Sequence, residues 1–534
     1  MSKSSTTDAR SLAADPETVA IPPRYWWLKR IMAASASLIV GLILLRLWWG
    51  WEANRRLQAE IDGIVAAGEP IYPEDFDPKE PVPDDQNAAK LLQQAETKLN
   101  LTPDESRFVS DDWSDPEVIK AKLDSVRKMM DTNTEVLTLV RRAKELSHID
   151  WGLRIRTPAI NSILIPLSGQ RQLAKFLSIV VAYLIHHGRH DEAIDLLLAI
   201  VFQGDAIAVQ SSLLANLVGI ATISFATQRI ESLAPSLTVI DNMADDSSGR
   251  AASRERIRLL TRRLLDPNPP RSAMRGAMLG ERMLIHDIFR SVVDGNTSPA
   301  SLTFGGMIGP GSWYQRALQW PITPLYILNA RWAMSTAAIF RVAAEAPTFI
   351  AVEAILPPIP EDYDRHLMDG FLQPMGWETF ASIHRSFVLH FRHLAMRRMA
   401  GIALALRLYE IDHGQRPTSL EQLVPDYLDA IPADPFGDGT RPIGYLPDAA
   451  PSILYSIGDD GVDDGGGFAL NDSGGVNMNE LDLVFFLDGK RPMPEPAGAL
   501  APPGSQPETS EDGDEVKDKD GNDTETHSEQ NRPE

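Results

Sequence analysis

Residues Ile31–Leu45 (IMAASASLIVGLILL) form an uninterrupted apolar run near the start of the chain, and no other feature restricts the fold as much. The run is shorter than the ~20 residues that cross a hydrocarbon core. Its flanks supply the difference. Lys29, Arg30 and Arg46 can reach towards headgroups, and Trp26, Trp27, Trp48, Trp49 and Trp51 form an aromatic belt at both ends. A buried core helix would seldom carry clustered tryptophan and basic residues at each end. A cleaved signal peptide would be followed by a small-x-small site, but Arg46-Leu47-Trp48-Trp49-Gly50-Trp51 follows here. The expectation is a retained single-pass transmembrane helix over residues 28–51, with the lipid bilayer as its first partner.

The remainder of the 534 residues is enough for two or three domains at roughly 100–200 residues each. With 43% hydrophobic and 23% charged residues, globular domains with buried cores are expected. A net charge of −22 argues against nucleic acid as a partner, because phosphate binding needs a local excess of Lys and Arg. The absence of cysteine removes disulfides, thiolate metal sites and cysteine nucleophiles together. Residues 493–534 are rich in Asp, Glu, Gly, Pro and Ser with little to bury, so a disordered acidic tail is expected there. Residues 1–27 are expected to be a flexible N-terminal segment.

After the anchor, residues 52–86 are expected to hold a juxtamembrane helix and then an extended spacer, because Pro70–Pro83 (PIYPEDFDPKEPVP) is proline-rich and acidic. Helical periodicity begins at Asn87 and continues to about residue 400. Its strongest segments are Val118–Arg142, Gly169–His187, Asp191–Ala206, Ser212–Ser232, Ala251–Leu265, Arg275–Val293, Leu325–Ala344 and Trp377–Asp412. Leu173–Ile200 reads as two amphipathic helices joined by a Gly-Arg-His-Asp-Glu-Ala turn, as in a tetratricopeptide-like hairpin. No second copy recurs at a fixed period, so 87–400 is expected to be an irregular α-helical domain rather than a repeat array.

Candidates for chemistry in this domain are weak. His186, His187 and His190 cluster beside Asp191 and Glu192, but Gly188 falls between them, so solvated turn histidines are expected rather than a metal pair. His384, His390 and His393 share one helix without the acid spacing of H-E-x-x-H, which reads as a polar helix face. Gly305–Ser312 is glycine-rich yet lacks the lysine of a phosphate loop. No nucleophile elbow or dinucleotide fingerprint occurs. A non-enzymatic protein is favoured, with an enzyme whose residues are scattered through the helical domain as the alternative.

The most informative stretch is Ala403–Leu487. Gly414 and Pro417 end the last long helix. A short helix at Ser419–Leu423 is followed by Asp434-Pro435-Phe436-Gly437, strands near Ile443–Leu446 and Ser452–Ser456, an acidic glycine loop, and a closing apolar run, Leu481–Leu487. A small α+β module over 401–492 is expected. Asp459, Asp460, Asp463 and Asp464 lie among glycines that let the backbone curl. Such a loop suits calcium, which takes six to eight oxygens in irregular geometry. It also reads as a solvated acidic turn, and the EF-hand spacing is broken at Val462.

The module resembles the C-terminal domain of the major pseudopilins of type II secretion systems. The resemblance rests on Tyr409 with Asp412–Gly414, Pro417-Thr418, Leu420–Val424, Asp434–Gly437, Tyr445, Tyr455–Gly461, Gly465-Gly466 and Leu481-Asp482-Leu483. It covers about the last sixth of the ordered chain. The N-terminal cleavage signature of those proteins is missing, and Phe468–Glu480 is an insertion, so polymerisation is not expected. The whole chain is also similar to large membrane-anchored bacterial proteins of unknown function with the same ending.

The pseudopilin resemblance implies calcium in the matching loop, with Asp460 and Asp482 the carried-over ligands. Asp463 and Asp464 complete the expected metal set, and Asn471 and Asp472 in the insertion could add oxygens. Positive charge flanks the anchor on both sides, so orientation follows from calcium, which is abundant outside the cytoplasm. The chain is thus expected in the cytoplasmic (inner) membrane, N-terminus inside and bulk extracytoplasmic. It would act as an interaction scaffold of the bacterial envelope with protein partners, linked to secretion or surface assembly.

Overall fold

A computed structural model describes residues 25–491, apart from 79, 111–120, 158, 160–166, 242–249, 295–319, 358–376, 470–480 and 490. The expectations for residues 1–24, the tail 493–534, the loop Gly305–Ser312, and Asn471 and Asp472 lie outside the described residues.

Helix α1 (Trp26–Ala66) runs unbroken for 41 residues. Its two halves follow different patterns. From Ile31 to Leu45 it carries no charged side chain on any face, and all residues from Trp26 to Leu45 are exposed. Beyond Trp51 the apolar residues narrow to a stripe, Ala53, Leu57, Ile61 and Ile64, which is the spacing of one helix face. That stripe is covered: Ile61, Ile64 and Ile71 pack on Met334, with Leu57 and Tyr72 at the edge. The apolar half is long enough to cross a bilayer. Leu213–Ser236 is also long and apolar, but half of it is buried, as befits a core helix.

The proline-rich segment is not wholly an extended spacer. Ile71 is fully buried, and Asp75 accepts the amides of Ile71 and Tyr72 at 2.9 Å each. Glu69 pairs with Arg282 at 2.6 Å and Arg341 at 3.0 Å. The prolines suggested extension, but one buried isoleucine and one ion-paired glutamate hold the chain against the body.

The body is mainly helical: α2 (Ala88–Lys98), α3 (Pro103–Ser110), α4 (Leu123–Thr132), α5 (Thr134–Ala143), α6 (Leu167–His186), α7 (His190–Ala208) and α8 (Leu213–Leu233). A short parallel pair, β1 (Val239–Ile240) and β2 (Ala252–Ser253), leads to α9 (Arg254–Leu265) and α10 (Asn268–Val293). Then come α11 (Thr323–Ala343), α12 (Phe349–Ile355) and α13 (Trp377–His413). The single helix expected over Val118–Arg142 is broken at Asn133. This side chain accepts the Asn100 amide at 2.8 Å and donates to the carbonyls of Met129 and Asn100, the kind of local bond by which Asn competes with a helix.

After α13, Gly414 takes φ +75 and stops the helix. Strands β3 (Gly444–Leu446), β4 (Ile453–Ser456) and β5 (Leu483–Phe486) form an antiparallel sheet in the order β3-β4-β5. Asp434 is fully buried at its end, accepting from Ser456 Oγ at 2.6 Å and from the amides of Ile457 and Phe436 at 3.0 Å. The border expected near residue 400 falls inside α13. One apolar cluster joins Phe387, Phe391 and Leu404 of α13 to Phe436, Leu454, Phe485 and Leu487. Residues 1–492 accordingly fall into one compact unit.

Candidate functional site

The acidic loop between β4 and β5 separates the four expected metal ligands into two kinds. Asp460 and Asp463 are exposed and close local turns, accepting the amides of Val462 at 3.0 Å and Gly465 at 3.1 Å. Asp463 also meets Arg441 at 2.8 Å, whose hydrogen bond holds its carboxyl below the usual range. Asp464 is exposed, and its carbonyl accepts from the Gly467 amide at 3.2 Å. Asp482 is fully buried. Its Oδ2 accepts the Gly466 amide at 2.7 Å, while its Oδ1 has no hydrogen-bond partner. Burial pushes the Asp482 carboxyl up and the charges of Asp464 and Asp463 add to this, against the amides of Gly466 and Asp464.

An unsatisfied buried carboxylate oxygen is costly, and a hard cation is one group that would satisfy it. Among the described residues, however, no three acid or histidine side chains converge on one point. Asp459, also part of the acidic run, is committed elsewhere, accepting from Arg392 Nε at 2.9 Å.

The histidines disperse. His186 and His187 are exposed at the α6–α7 turn, as expected, but His190 is buried. Its Nδ1 accepts the Thr238 amide at 3.1 Å, and burial together with Arg407 lowers its pKa. His384 meets a single acid, Glu353, at 2.6 Å. His390 and His393 are not a polar surface face: both are buried. Burial, Arg397, Arg398 and Arg271 bring His390 down to about 4, and burial with Arg397 and His390 holds His393 well below its ordinary value. Both are therefore neutral near pH 7. Beside them Arg397 of α13 meets Asp205 of α7 at 2.9 Å, with Arg263 of α9 on the other oxygen at 2.8 Å. Nothing in the spacing of these residues announced that set, since its members come from three helices.

The sequence also concealed a cleft of about 880 Å³ between α9 and the segment Pro425–Ala433. Arg258, Arg262 and Arg398 face Glu255, Asp426 and Asp429 around it. Arg398 donates to the Ala433 carbonyl at 2.6 Å; burial lowers its pKa, Asp434 opposes this and Arg271 reinforces it. The arginine-rich spacing of α9 was the one visible signal. None of the cluster histidines lines this cleft. Compared with known proteins, the chain matches no family model, no curated protein and no solved structure.

Proposed function

We propose that this chain is a membrane-anchored interaction scaffold, held by α1 in the cytoplasmic membrane with its body on the extracytoplasmic side. The observation that carries this reading is the division of α1. Its first half carries the apolar run Ile31–Leu45 with every residue exposed, and its second half packs on the body. A helix so divided couples a folded body rigidly to a bilayer. The continuous helix through Arg46–Trp51 also offers signal peptidase none of the extended small-residue backbone that it cuts.

The pseudopilin-like order of the C-terminal module supports an envelope role linked to secretion or surface assembly, and the tetratricopeptide-like hairpin of α6 and α7 supports protein contacts. The mixed charges of the α9 cleft suit a polar segment of a protein partner better than a simple anion. Calcium at the acidic loop belongs to the same proposal. Asp482 and Asp464, with Asp460 and Asp463 at the rim, are the residues that would hold it. When bound, it would neutralise the Asp482 charge and complete its coordination.

The reading is tested by alkaline carbonate extraction followed by N-terminal sequencing of the chain. The expected result is a chain that stays in the membrane pellet and retains residues 26–45. A soluble chain beginning after residue 45 would identify α1 as a removed signal and overturn the proposal.

A further inference from the structure

We infer that the turn into α11 together with its first residues, Trp320 to Tyr326, is a second membrane contact, seated at the headgroup level of the bilayer that α1 crosses. This rests on reading α1 as a membrane span. The apolar run Ile31–Leu45 covers roughly 22 Å at the helical rise, and the tryptophan and basic flanks on either side, through Trp26–Arg30 and Arg46–Trp51, make up the rest of a bilayer crossing. The bilayer surface on the body side must then lie within about one turn of Arg46.

The body meets α1 at this level. Arg46 Nε donates to the Trp320 carbonyl at 2.6 Å, and the Arg46 guanidinium lies 4.7 Å over the Trp320 ring. About one turn further on, Gly50 is buried, and a Cβ there would stand 3.8 Å from Pro324 Cγ. From that point α11 runs parallel to α1 and away from the apolar run, with Arg331 at 3.9 Å from Glu60 and Arg341 at 3.0 Å from Glu69. Among the described residues of this segment, Trp320, the first, is therefore the one nearest the lipid.

Its chemistry fits. Trp320 is 44% exposed despite its partner, and Pro321 beside it is also exposed. Trp48 and Trp51 on α1 are 60% and 62% exposed at the same level. An indole with an apolar body and one N–H is favoured where hydrocarbon gives way to headgroups. The partner is thus the phospholipid interface itself. A body held at two points, by α1 and by the turn into α11 with its first residues, keeps a fixed face towards the membrane instead of turning about a tether.

The chain has no cysteine, so single cysteines can carry a nitroxide label. Full-length Pro321→Cys, Ile39→Cys and Ile350→Cys, reconstituted in phosphatidylcholine–phosphatidylglycerol liposomes, would be compared for relaxation by oxygen and by a water-soluble nickel chelate. Ile350 is exposed just beyond the far end of α11, about 30 Å from its start. The expected result is oxygen access at 39, nickel access at 350, and an interfacial value between the two at 321. If 321 matches 350 while 39 lies in lipid, the second contact is wrong and the span stands. A label at 321 shielded from both reagents marks a protein contact and equally overturns it. Nickel access at 39 overturns the span and this inference together.

Discussion

Arg397 lies in the middle of α13 with 1% of its side chain exposed, and Asp205 of α7 and the carbonyls of Arg263 and Leu264 surround it. A buried arginine keeps its charge, so the groups beside it must adjust instead. His390 and His393 do so by staying neutral. This has a consequence for stability. His390 has a folded pKa of about 4 against an ordinary value of 6.5, so between these values the unfolded chain binds a proton that the folded chain refuses. Stability from this residue is complete above pH 6.5 and is lost as pH falls towards 4, by on the order of 3 kcal/mol. Thermal melting of wild type and His390→Gln across that range should show the steeper decline in wild type; parallel curves would contradict the account.

Asp482 has an Oδ1 without a hydrogen-bond partner, and the charges of Asp464 and Asp463 act on its carboxyl. A cation bound only by the folded state must raise the melting temperature. Full-length protein in detergent should melt higher in millimolar calcium than in chelator, and Asp482→Asn should abolish that difference. Equal melting of wild type with and without calcium would exclude the site.

At the scale of elements, α7 and α8 cross where glycine meets glycine. A Cβ on Gly219 would stand 2.6 Å from the Gly204 carbonyl oxygen and 2.8 Å from the Ala208 Cβ. No flexible side-chain end is available to yield, so the helices must separate. Gly219→Val is expected to destabilise by about 2–4 kcal/mol through overpacking and lost contacts, read from denaturant midpoints; a change within 0.5 kcal/mol, roughly the surface norm, would contradict this crossing.

The helices themselves were legible in the sequence, because the stripes of Leu173–Ile200 and Trp377–Asp412 have the period of a buried face. So was the order of the three strands after Gly414. What escaped was decided by single side chains acting across distance. Asn133 splits one expected helix through its bonds to Asn100, and Ile71 draws a proline-rich stretch into the core. His390 and Arg397 read as a polar surface because their burial depends on Asp205, far away in the chain. The acidic loop was readable as a run of aspartates, but not that Asp482 alone would be buried while Arg441 and Arg392 claimed its neighbours.

Across the molecule, the described residues up to Arg491 form one unit in which α1, the helical body and the small sheet are continuous. Helix α1 enters the body through Ile61 and Ile64, and α13 leaves it to support the sheet through Phe391 and Leu404. The sheet is further tied by Arg491 to Glu231 of α8 at 2.7 Å. The acidic loop is therefore joined to α1 through packed helices rather than through a linker. In the proposed topology α1 crosses the membrane with this unit on the outer side. The most direct measurement labels single cysteines at Ser4 and Val462, the latter exposed in the acidic loop, with an impermeant maleimide in spheroplasts. The account predicts that Val462→Cys is labelled in intact spheroplasts and Ser4→Cys only after lysis. Labelling of Val462→Cys only after lysis, or of both residues from one side, would contradict it.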